Sequence, residues 1–472
     1  MLIMSEAELP PGPPLPRAVQ SALMMRHWPR FISACRRRYG SVFTVDVASM
    51  GKIVYLADPA DIKTVFAGDP AVFRAGEANS VLRGVLGDSS VLLLDEARHR
   101  DRRRMMLPPF HRDAVARQSE LMADIAASNV AGWPVGTEFP VAPRMAEITL
   151  EVILRTVIGS EEPERLAALR AALPPVVNMN TLAMLAMLNP DLLRRRPWRG
   201  VRRRIAEADR LIYAEIADRR ADPNLAERTD VLAMLVRAGG ADAAGDGPAM
   251  TDTELRDQLM TLLFAGHETT ATGLSWALER LVRDPVTLAR AVAAAEAGAP
   301  GDEYLDALVK EILRVRPVVF DVGRRLSAPV ELAGYRLPAG VIVSPGIGLV
   351  HASEEQYPDP ARFDPERMIG ASLSPSTWLP FGGGGRRCLG ATFAQVEMRI
   401  VLREVLRRVQ LDTTGARGER QRVKHVTLVP HRGARIRVRA RRPAPTAAPP
   451  AAAARPADVG CPVDSARTAP AG

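Results

Sequence analysis

The chain has 472 residues, and 63 Lys plus Arg against 54 Asp plus Glu leave a formal charge of +9. Apolar residues make up 47% and charged residues 25%, an ordinary globular balance that excludes a disordered or disulfide-stapled chain. Cys35, Cys388 and Cys461 are too few for a disulfide framework, so a reducing, cytoplasmic setting is expected. The start, MLIMSEAEL, is too short and too acidic for a signal peptide. The longest uncharged run, Ala171 to Pro190, holds Pro174, Pro175, Asn178, Asn180 and Asn189, so no transmembrane anchor is expected.

In chain order, PPGPPLP at residues 10–16 predicts an extended lead-in. SVFTVDV and KIVYLA, then a helical stretch from Pro59, predict a hairpin feeding a helix. From about 95 to 290 the signal is mostly helical, and strand-like runs return at 329–347 and 423–438. Beyond about 440, 18 of the last 32 residues are Ala or Pro, the composition of a disordered tail. Length alone suggests about three domains, but no composition shift or repeat marks a boundary. The expectation is a mainly α fold with small β-sheets: a 1–16 lead-in, one domain over 17–440 and a 441–472 tail.

One predicted helix, about 252–283, starts at a capping box, Thr251 and Glu254, and stops at Asp284-Pro285. Its middle reads Phe264-Ala-Gly-His-Glu-Thr-Thr270. Small residues there admit something flat, and Thr269 can bond back to a carbonyl and loosen the turn. By itself the segment reads equally as a kinked helix with a satisfied polar cluster. The second unusual stretch is Phe381-Gly-Gly-Gly-Gly-Arg-Arg-Cys-Leu-Gly390, followed by a helical pattern from Ala391 to Arg408. Four glycines before Cys388 let the backbone pass close to a bulky group, and a helix start would favour its thiolate. A phosphate loop would need Lys-Ser/Thr after its last glycine, where Ala391-Thr392 stands. A zinc site would need further Cys or His nearby, and His267-Glu268 lacks the second histidine of a zincin at Ala271.

Residues 381–390 match F-x-x-G-x-R-x-C-x-G at every fixed position, and the long helix carries A-G-x-[D/E]-T as Ala265, Gly266, Glu268 and Thr269. Glu311 and Arg314 form E-x-x-R, followed by Phe363-Asp-Pro-Glu-Arg367. In this order and spacing the chain resembles the cytochrome P-450 family over roughly residues 10–440, with a fold built as a single haem-centred domain. The resemblance implies haem b with Cys388 as the axial ligand of the iron, and Phe381 and Ala265 against the cofactor. It places His99, Arg103, Arg324 and Arg386 on the haem carboxylates. Arg102 and Arg104 beside them read equally as a solvated basic face. Glu311, Arg314 and Arg367 become a buried ion triad that orders the cysteine loop.

The chemistry implied is monooxygenation, one atom of dioxygen entering a lipophilic substrate of fatty acid, terpenoid, sterol or alkane class. Thr269 would hydrogen-bond dioxygen and a water, and Glu268 would connect that water to solvent. The pocket would draw on Val81, Leu82, Leu86, Phe264, Val318, Val319 and Leu428, with Met179–Met187 nearby and Asp321 as a polar exception. Met184 and Met187 read equally as plain core. No flavin or iron–sulfur motif is present, so electrons would come from NAD(P)H through a ferredoxin reductase and an acidic ferredoxin or flavodoxin-like donor. Arg104, Arg387, Arg399 and Arg403 would steer that donor to a monomer. A peroxygenase or isomerase would share the haem-thiolate site. A nucleic-acid or membrane-surface binder is the remaining alternative, from a pI near 10 and the Arg triplets. Against it, acidic residues are interspersed and no accompanying motif is found.

Overall fold

The structure, a computed structural model, describes residues 9–160, 162–177, 179, 198–238 and 249–443. The expectations for 180–187, Met184 and Met187 among them, for Cys461 and for the tail beyond 443 lie outside the described residues. The principal helices are α1 (Arg17–Tyr39), α2 (Pro59–Ala67), α3 (Glu96–Met106), α4 (Ser119–Ala131) and α5 (Ala142–Ile153). Then come α6 (Arg199–Ala221), α7 (Asp252–Leu281), α8 (Pro285–Ala297), α9 (Asp302–Val315) and α10 (Ala391–Arg408). The strands are short: β1 (Val42–Val47), β2 (Gly51–Leu56), β3 (Phe73–Arg74), β4 (Glu138–Pro140), β5 (Arg324–Leu326) and β6 (Val330–Leu332). They continue as β7 (Tyr335–Leu337), β8 (Ile342–Pro345), β9 (Val409–Leu411), β10 (Gln421–Lys424), β11 (Thr427–Pro430) and β12 (Arg435–Arg441).

The mainly helical architecture with small sheets is the one the sequence implies. The lead-in runs beside β1, where the Pro11 carbonyl accepts from the Thr44 amide at 3.0 Å. Strands β1 and β2 make the antiparallel hairpin, Val42 opposite Leu56, and Asp58 caps α2. They belong to a five-stranded sheet of order β1-β2-β8-β5-β3, whose β2–β8 pair is parallel. A parallel pair needs a long crossover, and here the helical body lies between its two strands in sequence. Arg324 on β5 is thereby delivered to the edge of that body.

Helix α7 is the centre of the body. Thr251 and Glu254 form the reciprocal capping box, and 30 residues give a rod of about 45 Å. It packs against α5, α6, α9, α10 and β11, so it is buried on nearly every side rather than along one stripe. Asp257 and Gln258 tie it to the segment before α3: Asp257 accepts from the Ser89 amide at 2.9 Å, and Gln258 from Val91 at 3.0 Å. Among the described residues no helix is long and apolar enough to cross a membrane.

Candidate active site

The cysteine loop is seated on α2. Gly382 and Gly384 have left-handed φ of 65° and 63°. A Cβ on Gly383 would stand 2.3 Å from the Phe66 ring, and one on Gly384 would stand 2.0 Å from the Phe66 carbonyl oxygen. Two of the four glycines at 382–385 therefore serve the contact with α2, whereas Gly382, Gly385 and the later Gly390 have nothing within 4 Å among the described residues. The Phe381 carbonyl accepts from the Cys388 amide at 2.9 Å, closing the turn, and the Phe381 ring meets Trp378 edge-on. Cys388 is solvent-accessible, with protein atoms packed densely around its thiol. The thiolate expected from a helix start is not what the protein alone favours. Burial pushes the thiol above its ordinary value, against the pull of the Gly390 N–H, Arg103 and Arg387.

His99, Arg103, Arg324 and Arg386 come together from α3, β5 and the cysteine loop to line one cavity of about 570 Å³. That is within the usual size range for a cofactor site. Burial and the charges of Arg386, Arg103 and Arg324 bring His99 down to about 3. Arg324 and Arg386 are each brought down to about 10, first by burial and then by neighbouring guanidinium groups. Such a cluster of converging cations is built for anions. Asp95 is the acid set among them, at 2.5 Å from Arg386, and it also accepts from the Gly76 and Glu77 amides. Asp95 immediately precedes α3 but makes no side-chain cap bond to it, holding Arg386 and the chain at Gly76.

Between Leu255 and Glu279 the only residues of α7 that are not buried are Ala265, Gly266 and Thr269. These form one patch at i, i+1 and i+4, halfway along the helix. The Thr269 hydroxyl donates to the Ala265 carbonyl at 2.5 Å, the back-bond anticipated from sequence. Glu268 takes the other side. Its carboxylate meets Lys424 Nζ at 2.9 Å, His425 Nδ1 at 3.6 Å and the Thr427 hydroxyl at 3.4 Å. Burial would raise the Glu268 carboxyl, but His425 and Lys424 outweigh it and hold it below its ordinary value. His267 is fixed by the Thr149 hydroxyl of α5 at 3.0 Å.

Glu311 and Arg314 are fully buried and bridge at 2.7 Å, with Arg367 Nε 3.2 Å away. Arg314 also donates to the carbonyls of His351, Pro360 and Arg362. The triad reaches the cysteine loop through intermediaries: His351 Nε2 accepts from the Leu379 amide, and Trp378 donates to the Lys310 carbonyl.

Of the anticipated pocket residues, Val81 and Val319 are half-buried, Phe264 and Val318 retain 8% exposure, and Leu82 is buried. Leu86 and Leu428 are wholly enclosed in apolar clusters, with the Leu428 carbonyl accepting from Trp276. Met179 is buried. Asp321 is a correction: it accepts from Trp28 at 3.1 Å and is bonded by Tyr55 and Ser344, tying α1 to the sheet. Burial raises its carboxyl to about 6. Folding therefore favours the protonated acid. The contribution is complete below the unfolded value of about 3.9 and lost as pH rises through about 6, roughly 3 kcal/mol in all. In Asp321→Asn, urea unfolding followed by tryptophan fluorescence should lose that fall in stability between about pH 4 and pH 6.

Arg399 and Arg403 are also corrected. Arg399 bridges Asp306 at 2.9 Å and Arg403 bridges Asp302, so both are neutralised between α9 and α10. Arg104 and Arg387 are exposed, and Arg100, which the sequence did not single out, is exposed at the cavity.

An accessible thiol, a ring of converging cations and a partly open mid-helix patch are the features this fold offers to a bound group. The family model for cytochrome P450 matches residues 10–436. Cytochrome P450 135B1 of Mycobacterium tuberculosis (strain ATCC 25618 / H37Rv) is 68% identical over 442 residues, covering 93% of each chain. Cytochrome P450 135A1 of the same strain is 40% identical over 434 residues, covering 91% of this chain and 95% of its own. Among solved structures, "Retinoic acid bound cyanobacterial CYP120A1" superposes with a TM-score of 0.78 at 22% identity, covering 92% of this chain and 99% of that one. The "cytochrome P450DA heme domain" gives 0.77 at 24% identity, covering 92% and 98%. The chain belongs to the cytochrome P450 family and is an oxidoreductase that binds haem and iron.

Proposed function

We propose that this monooxygenase inserts one oxygen atom from dioxygen into a lipophilic substrate of fatty acid, terpenoid, sterol or alkane class. The observation that carries this reading is the Ala265, Gly266 and Thr269 patch in an otherwise buried helix. Phe264, Val81, Val318 and Val319 supply an apolar lining beside it. Cys388 would ligate the iron, and His99, Arg103, Arg324 and Arg386 would hold the two haem carboxylates. Bound haem would supply oxygen activation, to which a ligating thiolate lends electron density. Thr269 releases its back-bond to Ala265 and offers its hydroxyl at the patch. Glu268 carries protons toward it.

In Thr269→Ala, product formed per NAD(P)H should fall by up to about a hundredfold, the low end for a lost proton-transfer group, while reduction continues. Unchanged coupling would remove Thr269 from the role. Labelled dioxygen separates the readings: one labelled atom in the product is expected, and unlabelled product would favour an isomerase or peroxygenase. A screen of lipids by spectral shift identifies the substrate class.

An external acidic ferredoxin or flavodoxin-like donor fits the exposed Arg100, Arg104 and Arg387. Its reduction of the enzyme should slow by roughly tenfold as salt screens those charges, and a salt-independent rate would count against it. Cys35 and Cys388, free thiols among the described residues, support a reducing, cytoplasmic setting.

A further inference from the structure

Strands β10 and β11 pair with Lys424 opposite Thr427, leaving His425 and Val426 as a two-residue turn. His425 has a left-handed φ of 54°. The first central position of such a turn normally takes glycine when φ is positive, so a histidine here is held against its backbone preference. Strain of this kind persists where the surroundings over-determine it. The His425 side chain is 4% exposed, its ring lies 6.5 Å from that of Phe264, and Nε2 meets the Met179 carbonyl.

A carbonyl oxygen only accepts, so Nε2 carries a hydrogen. Among the described residues Nδ1 has no hydrogen-bond partner, and it stands 3.6 Å from Glu268 Oε2. A bare lone pair facing a carboxylate is repulsive, and a proton in that gap is attracted from both sides. We propose that His425 is a positioning residue that stores the proton Glu268 passes to the Thr269 side of α7.

In the transfer the Nδ1–H bond breaks and an Oε2–H bond forms, leaving a neutral imidazole and a carboxylic acid. Side-chain rotation turns the acid from the hairpin toward the patch, where it gives up the proton. A proton from bulk solvent, entering past Lys424, rebinds Nδ1 and restores the imidazolium; the Lys424 side chain is 30% exposed and touches Oε1 at 2.9 Å. Lys424 and Thr427 face Glu268 from the hairpin and His267 stands beside it on α7. Held at about 4 by burial, His267 is neutral and does not compete as a donor. The inference rests on Glu268 being the proton-carrying acid.

The test uses the full haem-loaded chain without substrate. Glycine suits the turn, so His425→Gly keeps the hairpin. In the ferrous carbon monoxide form, nitrogen NMR of labelled histidine near pH 7 should show both His425 ring nitrogens protonated, and Nδ1 bare in Glu268→Gln. NAD(P)H oxidation through a reconstituted ferredoxin system should slow roughly a hundredfold in both variants, the low end for a lost proton-transfer group. An Nδ1 that is bare in the unmodified protein overturns the inference. So does slowing in Glu268→Gln with none in His425→Gly, an outcome that leaves the role of Glu268 standing. If neither variant slows, the role of Glu268 fails, and the inference with it.

Discussion

Cys388→Ser should give a folded protein whose reduced form, mixed with carbon monoxide, lacks the red-shifted band of thiolate-ligated haem. The loop is shaped by its backbone: the Phe381 carbonyl holds the Cys388 amide, and Gly383 and Gly384 press against Phe66. None of these contacts uses the sulfur. The side chain is accessible, so unfolding of the haem-free chain should shift by less than about 1 kcal/mol, as for an exposed position. What the serine loses is charge. Burial already holds the thiol above its ordinary value, and Arg103, Arg387 and the Gly390 N–H offset only part of that. The iron would have to supply the rest, and an alcohol is far harder to ionise than a thiol. A variant that kept the band would overturn the ligand assignment.

The features legible in the sequence are those written in contiguous residues. Thr251, Glu254 and Asp284-Pro285 bracket α7 because caps and breakers act within a turn or two. The Thr269 back-bond is likewise local. Contacts between distant segments were hidden. Asp95 belongs to none of the motifs, yet its carboxylate serves Gly76, Glu77 and Arg386. Arg399 and Arg403 read as a free basic face until α9 brings Asp302 and Asp306 against them. Glu268 and Thr269 are neighbours in a motif, yet a helix turns successive residues by about 100°, so they serve different walls. Nothing in the motif announces that the wall behind Glu268 is the β10–β11 turn.

Arg314→Ala should destabilise the protein by about 3–5 kcal/mol, the scale for stripping one partner from a buried ion pair. Glu311 would remain at 0% exposure with its two 2.7 Å bonds to Arg314 gone. The carbonyls of His351, Pro360 and Arg362 would lose their donor too. Arg314→Lys should recover only part of the loss. A single ammonium keeps the charge but cannot span a carboxylate and three carbonyls as a planar fork does. Arg367→Ala should cost less, because Arg367 is 16% exposed and stands at 3.2 Å, outside the bidentate pair. Removing both charges in Glu311→Leu/Arg314→Leu should be milder than Arg314→Ala, since only Arg367, 16% exposed and still bonded to the Pro358 and Asp359 carbonyls, loses its carboxylate. Denaturant midpoints give this order, and haem retention reports on the cysteine loop, which the triad reaches through His351 and Leu379. If Arg314→Ala matched the double variant in stability, the pair would be neutral packing and its hold on the loop would have to come from the carbonyl bonds alone.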